Sequence, residues 1–156
     1  SKEQSEKEQN ASRATEELTV ALKEQIDQGL IEVEQRDGKV FVTVGSGGAF
    51  PSGTADLTGE AQRIMDRIAL TAMSPDSSIT VTGHTDDVPI SNGQFRDNWD
   101  LGAGRAASVV QAIQNTGLIS GDRLSAVSKG EMAPLADNNT AAGREQNRRI
   151  EIEISY

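Results

Sequence analysis

The sequence predicts an α+β fold: a mixed β-sheet with helices packed on one face, preceded by an N-terminal helical segment. Three observations carry this expectation. Two alternating apolar runs flank Asp37-Gly38, a hairpin turn signal that forces one antiparallel pair. Helical and extended patterns alternate along the rest of the chain, which requires crossover connections. The last apolar run, Ile150-Glu151-Ile152-Glu153-Ile154, alternates strictly and so has one buried and one polar face.

Residues 1–28 are polar and helix-favouring, with Ala14, Leu18, Ala21, Leu22 and Ile26 forming one narrow apolar stripe. Leu30 to Glu34 and Lys39 to Val44 read as the two hairpin strands. Residues 45–56 hold four glycines and Pro51 and read as a loop. A helix is expected from Thr58, which can cap it, to Met73, with Ala61, Ile64, Met65, Ile68 and Ala72 on one face. Ile79 to Thr82 reads as a strand, residues 83–95 as a polar loop, and a second helix runs from Asn98 to Gly117. Its core face is Gly102, Ala106, Val109, Val110 and Ile113. Leu124 to Val127 reads as a strand and residues 128–146 as a long loop before the final strand.

At 156 residues the chain fits one domain plus an appendage. Lys and Arg total 15 against 24 Asp and Glu, a net charge of -9, which argues against a general nucleic-acid partner. The absence of cysteine removes disulfides, thiolate metal sites and cysteine nucleophiles together. The longest nearly apolar stretch, Ile68 to Met73, is far short of the roughly 20 residues that span a bilayer. The first ten residues lack the apolar run of a signal peptide.

Few motifs suggest chemistry. The loop from Gly45 to Phe50 starts like a dinucleotide fingerprint but has Phe50 in place of the third glycine, and no Lys-Ser or Lys-Thr follows. His84-Thr85-Asp86-Asp87 supplies fewer donors than the three protein ligands a stable metal site needs, so a hydrogen-bonded loop histidine is the plainer reading. No cofactor is expected. The stretch from Asp86 to Arg105 is more informative. With Ala106 set at 0°, successive steps of about 100° put Asn98 near 280° and Arg105 near 260°, on one flank of their helix. That flank can face the loop carrying Asp86. One carboxylate and one guanidinium suit a zwitterion, the first accepting from an ammonium and the second holding a carboxylate. An intramolecular salt bridge is the alternative.

Val81-Thr82-Gly83-His84-Thr85-Asp86, then Asn98-Trp99-Asp100-Leu101 leading to Arg105-Ala106, then Asn138-Asn139-Thr140, Gly143-Arg144 and Asn147-Arg148-Arg149-Ile150, resemble the OmpA-like peptidoglycan-binding domain. Asp87-Val88-Pro89-Ile90 and Asn98-Trp99-Asp100-Leu101 look most like the periplasmic domain of the flagellar-motor stator B subunit, of the MotB and PomB type and nearer the sodium-driven PomB. The resemblance covers residues 30–156 and leaves 1–29 as a helical connector.

It implies that Asp86 and Arg105 grip the zwitterionic end of diaminopimelate in a peptidoglycan stem peptide. Asn98, Thr85 and Leu101 would line that pocket, with Arg148 or Arg149 approaching from the last strand. Two positions depart from the family pattern: Gly102 stands where serine is usual, and Ser128-Lys129-Gly130 replaces a glycine-aromatic-glycine run. The resemblance further implies a non-catalytic, homodimeric cell-wall anchor in the periplasm of a Gram-negative bacterium. It implies an inner-membrane helix upstream and a stator A subunit as partner. The connector is either movable or simply packed on the core. A general envelope anchor of the OmpA or peptidoglycan-associated lipoprotein type is the alternative. A peptidoglycan-cleaving enzyme using Asp86 with Asp87 or His84 is a third reading, but no second carboxylate or metal set is placed for it.

Overall fold

Asp37 and Gly38 adopt positive φ angles of 52° and 73°, the pair of left-handed residues that a two-residue hairpin needs. They join β1 (Ile31–Arg36) to β2 (Lys39–Gly45) in the computed structural model, which describes residues 1–156. β3 (Ser78–His84), β4 (Leu124–Gly130) and β5 (Arg149–Ser155) complete one five-stranded sheet in the order β1-β2-β5-β3-β4. The β3–β4 pair is parallel and every other pair is antiparallel. The sheet is therefore mixed, as the hairpin and crossovers require.

β5 lies between β2 and β3, and its alternation decides which face is buried. Ile150, Ile152 and Ile154 pair in register with Val44, Val42 and Val40 on one side and with Gly83, Val81 and Ile79 on the other. These aliphatic side chains are buried beneath α1 (Lys2–Ala21), α4 (Gly59–Thr71) and α5 (Asn98–Asn115) in one hydrophobic core. Three short helical segments complete the fold: α2 (Lys23–Asp27), α3 (Ser46–Ala49) and α6 (Ala141–Asn147). Thr58 caps α4 by accepting from the Ala61 amide at 3.2 Å. The Tyr156 hydroxyl donates to the Thr71 carbonyl at 3.0 Å, and burial pushes its phenol up to about 12. No helix is long and apolar enough to cross a membrane.

The N-terminal helix breaks at Leu22, and its buried face is Ala11, Ala14, Leu18 and Leu22, whereas Ala21 is exposed. Those four residues belong to the same core cluster as the sheet. Residues 46–49, expected in a loop, make one helical turn, and the Ser46 amide donates to the Arg148 carbonyl at 2.9 Å. The expected loop 128–146 contains the end of β4 and all of α6 except its last residue, Asn147. α6 is polar and short, so it has no apolar period to reveal it. Thr140 caps it, accepting from the Gly143 amide at 2.9 Å, and a side chain at Gly143 would overlap the Asp137 carbonyl.

The sheet face away from α1, α4 and α5 is polar, and one end of it is enclosed. There Arg149 is 3% exposed: its Nε donates to Glu151 Oε2 at 2.6 Å, its Nη1 to the Asn147 carbonyl and its Nη2 to the Ala133 carbonyl. His84 is buried beside them, its Nε2 3.2 Å from Glu151 Oε2 but without the alignment of a hydrogen bond. His84 and then Arg149 hold the Glu151 carboxyl down to about 2, against its partial burial.

Leu18→Ala is expected to lower stability to urea by about 2–5 kcal/mol, because the side chain is fully buried and leaves a cavity. An unchanged midpoint would mean that α1 adds nothing to the core. Glu151 has a folded-state value below its ordinary 4.5, so its contribution is full above that value and fades as pH falls toward about 2. Melting temperatures of wild type and Glu151→Gln should therefore differ at pH 6 and converge by about pH 2. A gap independent of pH would refute that origin.

Candidate functional site

β3 and α5 touch backbone to backbone: a side chain at Gly83 would overlap the Gly102 carbonyl, and a Cβ at Gly102 would lie 2.5 Å from Ser128 Oγ. That hydroxyl donates instead to the Trp99 carbonyl at 2.8 Å. The absence of a side chain at Gly102 leaves room for the Ser128 hydroxyl of β4 against the start of α5. This contact sets the first turns of α5 beside the end of β3. The Thr85 amide donates to the Gly130 carbonyl at 2.8 Å, which holds the strand exit against β4.

Asp97 caps α5, its Oδ1 accepting from the Asp100 amide at 3.0 Å. Asn98, on the first turn, ties the loop to the helix: its Nδ2 donates to the carbonyls of Asp86 and Val88 at 3.3 and 3.1 Å and to Glu131 Oε1 at 3.4 Å. The loop is tightened further by Asp86 Oδ1, which accepts from the Val88 amide at 3.0 Å, and by the Thr85 hydroxyl, which donates to the Asp86 carbonyl at 2.8 Å. Asp86 is 8% exposed, so its carboxylate is held rather than solvated.

Arg105 enters from α5 two turns further on. Its Nε donates to the Thr54 carbonyl at 2.8 Å and its guanidinium lies 4.9 Å from the centre of the Phe50 ring. Its two terminal nitrogens bond nothing in the protein and are not sealed off, although the residue as a whole is only 4% exposed. Burial, and then the nearby charge of Arg148, bring Arg105 down to about 10, while Asp86 acts in the opposite direction. It remains a cation at neutral pH and presents an open two-pronged donor.

These groups surround one cleft of about 530 Å³ between loop 46–54, loop 85–90 and the start of α5. Thr85, Asp86, Asn98, Leu101, Arg105 and Arg148 all line it. Arg149 does not, because strand alternation turns it to the opposite face, into the cluster with Glu151. Asp86 does form an intramolecular ion pair, but with Arg148 rather than Arg105, Nη1 to Oδ2 at 2.7 Å. His84 points to Glu151, Asp87 is exposed, and no three His, Asp or Glu side chains converge as metal ligands would.

Sequence reasoning missed Arg144 and the wall made by Ser46, Phe50 and Gly53. Arg144 sits in the unrecognised α6. Gly45 to Phe50 reads in sequence as a broken dinucleotide fingerprint, and nothing local to residues 46–54 signals that they face Asp86.

The family model described as the OmpA family matches residues 49–148. Motility protein B of Bacillus subtilis (strain 168) is 32% identical over 125 residues, which are 80% of this chain and 48% of that protein. The chain thus spans about half the length of that relative. A putative MotB-like protein from Desulfovibrio vulgaris superposes with a TM-score of 0.83 at 27% identity, covering 97% of this chain and 94% of that one. The cell wall anchor of the T6SS from Pseudomonas aeruginosa gives 0.81 at 31% identity, over 88% and 96% of the two chains. The match over most of the sequence and the shared architecture place this chain in the OmpA family.

Proposed function

We propose that this chain is a non-catalytic peptidoglycan-binding module that anchors a flagellar-motor stator to the cell wall. One observation carries the reading: the held carboxylate of Asp86 and the open donor end of Arg105 face the same cleft. A carboxylate and a guanidinium fixed on two sides of a small cleft match the ammonium and carboxylate of an amino-acid end, and diaminopimelate displays such an end on the stem peptide. The likeness to Motility protein B supports the stator assignment. In this reading the chain is the periplasmic part of an inner-membrane protein in a Gram-negative bacterium, dimeric, with a stator A subunit contacted through an upstream membrane segment. The likeness to a secretion-system cell wall anchor supports the same cleft serving static attachment, which is the second reading. A membrane helix with an ionisable carboxylate upstream of Ser1 marks the motor, and a lipobox or barrel marks the static anchor.

Residues 1–29 are, in this reading, the connector between membrane and anchor. Extension requires α1 to leave the core. The Cβ expected at Gly38 lies 3.5 Å from that of Lys7, within disulfide range, so Lys7→Cys with Gly38→Cys can tether α1 at some strain from the positive φ. Swimming should stop under oxidising conditions and return on reduction; normal swimming with the tether closed would show that α1 stays docked.

The cleft itself is tested by co-sedimentation with isolated diaminopimelate-type peptidoglycan, with folding checked by circular dichroism. Asp86→Asn and Arg105→Ala each remove a charged hydrogen-bonding partner and should weaken binding about tenfold or more. Wild-type affinity in folded variants would remove the cleft from recognition.

A further inference from the structure

Three arginines face the cleft, Arg105, Arg144 and Arg148, against the single carboxylate of Asp86. Three positive charges less one leave a surplus of two, in a chain whose net charge is -9. A zwitterion carries no net charge and leaves that surplus unmet.

The hydrogen bonds show where the surplus lies. Arg105 has its own open donor end, as described above. Arg144 and Arg148 sit one helical turn apart, the Arg148 amide donating to the Arg144 carbonyl at 3.1 Å, so both side chains approach the cleft from the end of α6. Arg144 commits only Nη1, to the Asn138 carbonyl at 2.9 Å. Arg148 commits only Nη1, to Asp86, and its side chain is 39% exposed. When an ammonium occupies Asp86, Arg148 loses its partner while remaining beside two other guanidiniums. A second anion is the natural occupant of that space.

We propose that the cleft recognises a second carboxylate: the ligand ammonium displaces Arg148 from Asp86, and Arg148 with Arg144 then closes on a carboxylate distinct from the one held by Arg105. The ligand class is a peptide with one ammonium and at least two free carboxylates. This deepens the peptidoglycan reading and rests on it. In a stem peptide the extra group is either the α-carboxylate of the γ-linked glutamate or the stem-side carboxylate of diaminopimelate. The module therefore distinguishes free-acid stems from amidated ones.

The test is calorimetric titration of the folded wild-type chain with four synthetic tripeptides of the N-acetyl-Ala-γ-Glu-diaminopimelate type, whose acetyl group leaves the diaminopimelate ammonium as the single one. One is the free acid, one is amidated at glutamate, one at the stem-side diaminopimelate carboxyl, and one at both; all keep the zwitterionic end. The free acid should bind about tenfold or more tightly than the diamide, as expected for a charge-assisted pair of hydrogen bonds. The two monoamides identify which carboxylate is read. Arg144→Gln should compress the free-acid preference to about threefold or less, and Arg144→Lys, which keeps the charge but loses the two-pronged donor, should fall between that variant and wild type. Equal wild-type affinity for the free acid and the diamide overturns the second-carboxylate proposal and leaves the zwitterion reading standing. Failure of all four peptides to bind overturns both. The comparison of ligands on wild type needs no variant, so a misfolded Arg144 substitution does not remove the test.

Discussion

The approach of β3 to α5 at Gly83 and Gly102 fixes the geometry of everything that follows. With no side chain at either position, helix and strand meet at backbone distance, and the Ser128 hydroxyl occupies the space that remains. The contact lies at the last turn of the strand and the first turns of the helix. Whatever leaves β3 is therefore beside whatever starts α5. Thr85 and Asp86 leave the strand; Asn98, Leu101 and Arg105 come with the helix. A methyl group at Gly83 would push the start of α5 outward and carry Arg105 away from Asp86. The core beneath, built on Ile79, Val81 and Ile152, would still have its apolar residues. The separation of the two charges is thus set by two glycines that make no polar contact with a ligand.

Within that frame the cations are held unequally. Arg105 is buried, fixed by one carbonyl and one aromatic ring, and brought to about 10 by its burial and by Arg148. Placing a guanidinium there without a carboxylate partner is unfavourable in isolation, and a bound anion removes the imbalance. Arg148 is different. Its side chain is 39% exposed, so the guanidinium can be solvated when it leaves Asp86, whose own side chain is buried. Arg148 can exchange with another cation at Asp86 because solvent is within its reach, whereas Arg105 has no alternative partner to move to. Arg105 is thus fixed in place, and the Arg148 guanidinium is held only by Asp86.

Much of this was legible in the sequence because the signals were local. The hairpin lies in Asp37-Gly38, the buried face of β5 in its alternation, the cap of α4 in Thr58, and the flank shared by Asn98 and Arg105 in helical arithmetic. What escaped was set by tertiary contact. α6 has no apolar stripe and forms because Thr140 caps it and Gly143 lets it lie against Asp137. Arg144 could not be assigned to the cleft without that helix. Arg148 and Arg149 are neighbours with identical side chains, and only the point at which β5 starts decides which faces Asp86 and which turns to Glu151. The wall at residues 46–54 reaches the site because the Ser46 amide is tied to the Arg148 carbonyl, a pairing 102 positions apart in sequence (148 less 46) that no local pattern encodes.

The same distinction bears on the N-terminal helix. Its stripe is narrow enough to read as that of a loosely attached connector, yet Ala11, Ala14, Leu18 and Leu22 are all within the core cluster. Burying a leucine contributes about 1.5–3 kcal/mol, so the two leucines alone hold α1 down by roughly 3–6 kcal/mol before the alanines are counted. Undocking also returns ordering entropy to the chain, which offsets part of that gain. Extension of residues 1–29 is then not a freely sampled motion of this fold. It requires an agent that binds the extended form more tightly by a comparable amount. α1 rests on α4, α4 follows loop 46–54, and that loop supplies the Thr54 carbonyl that fixes Arg105. The docked helix and the cleft thus share one contiguous set of packed elements.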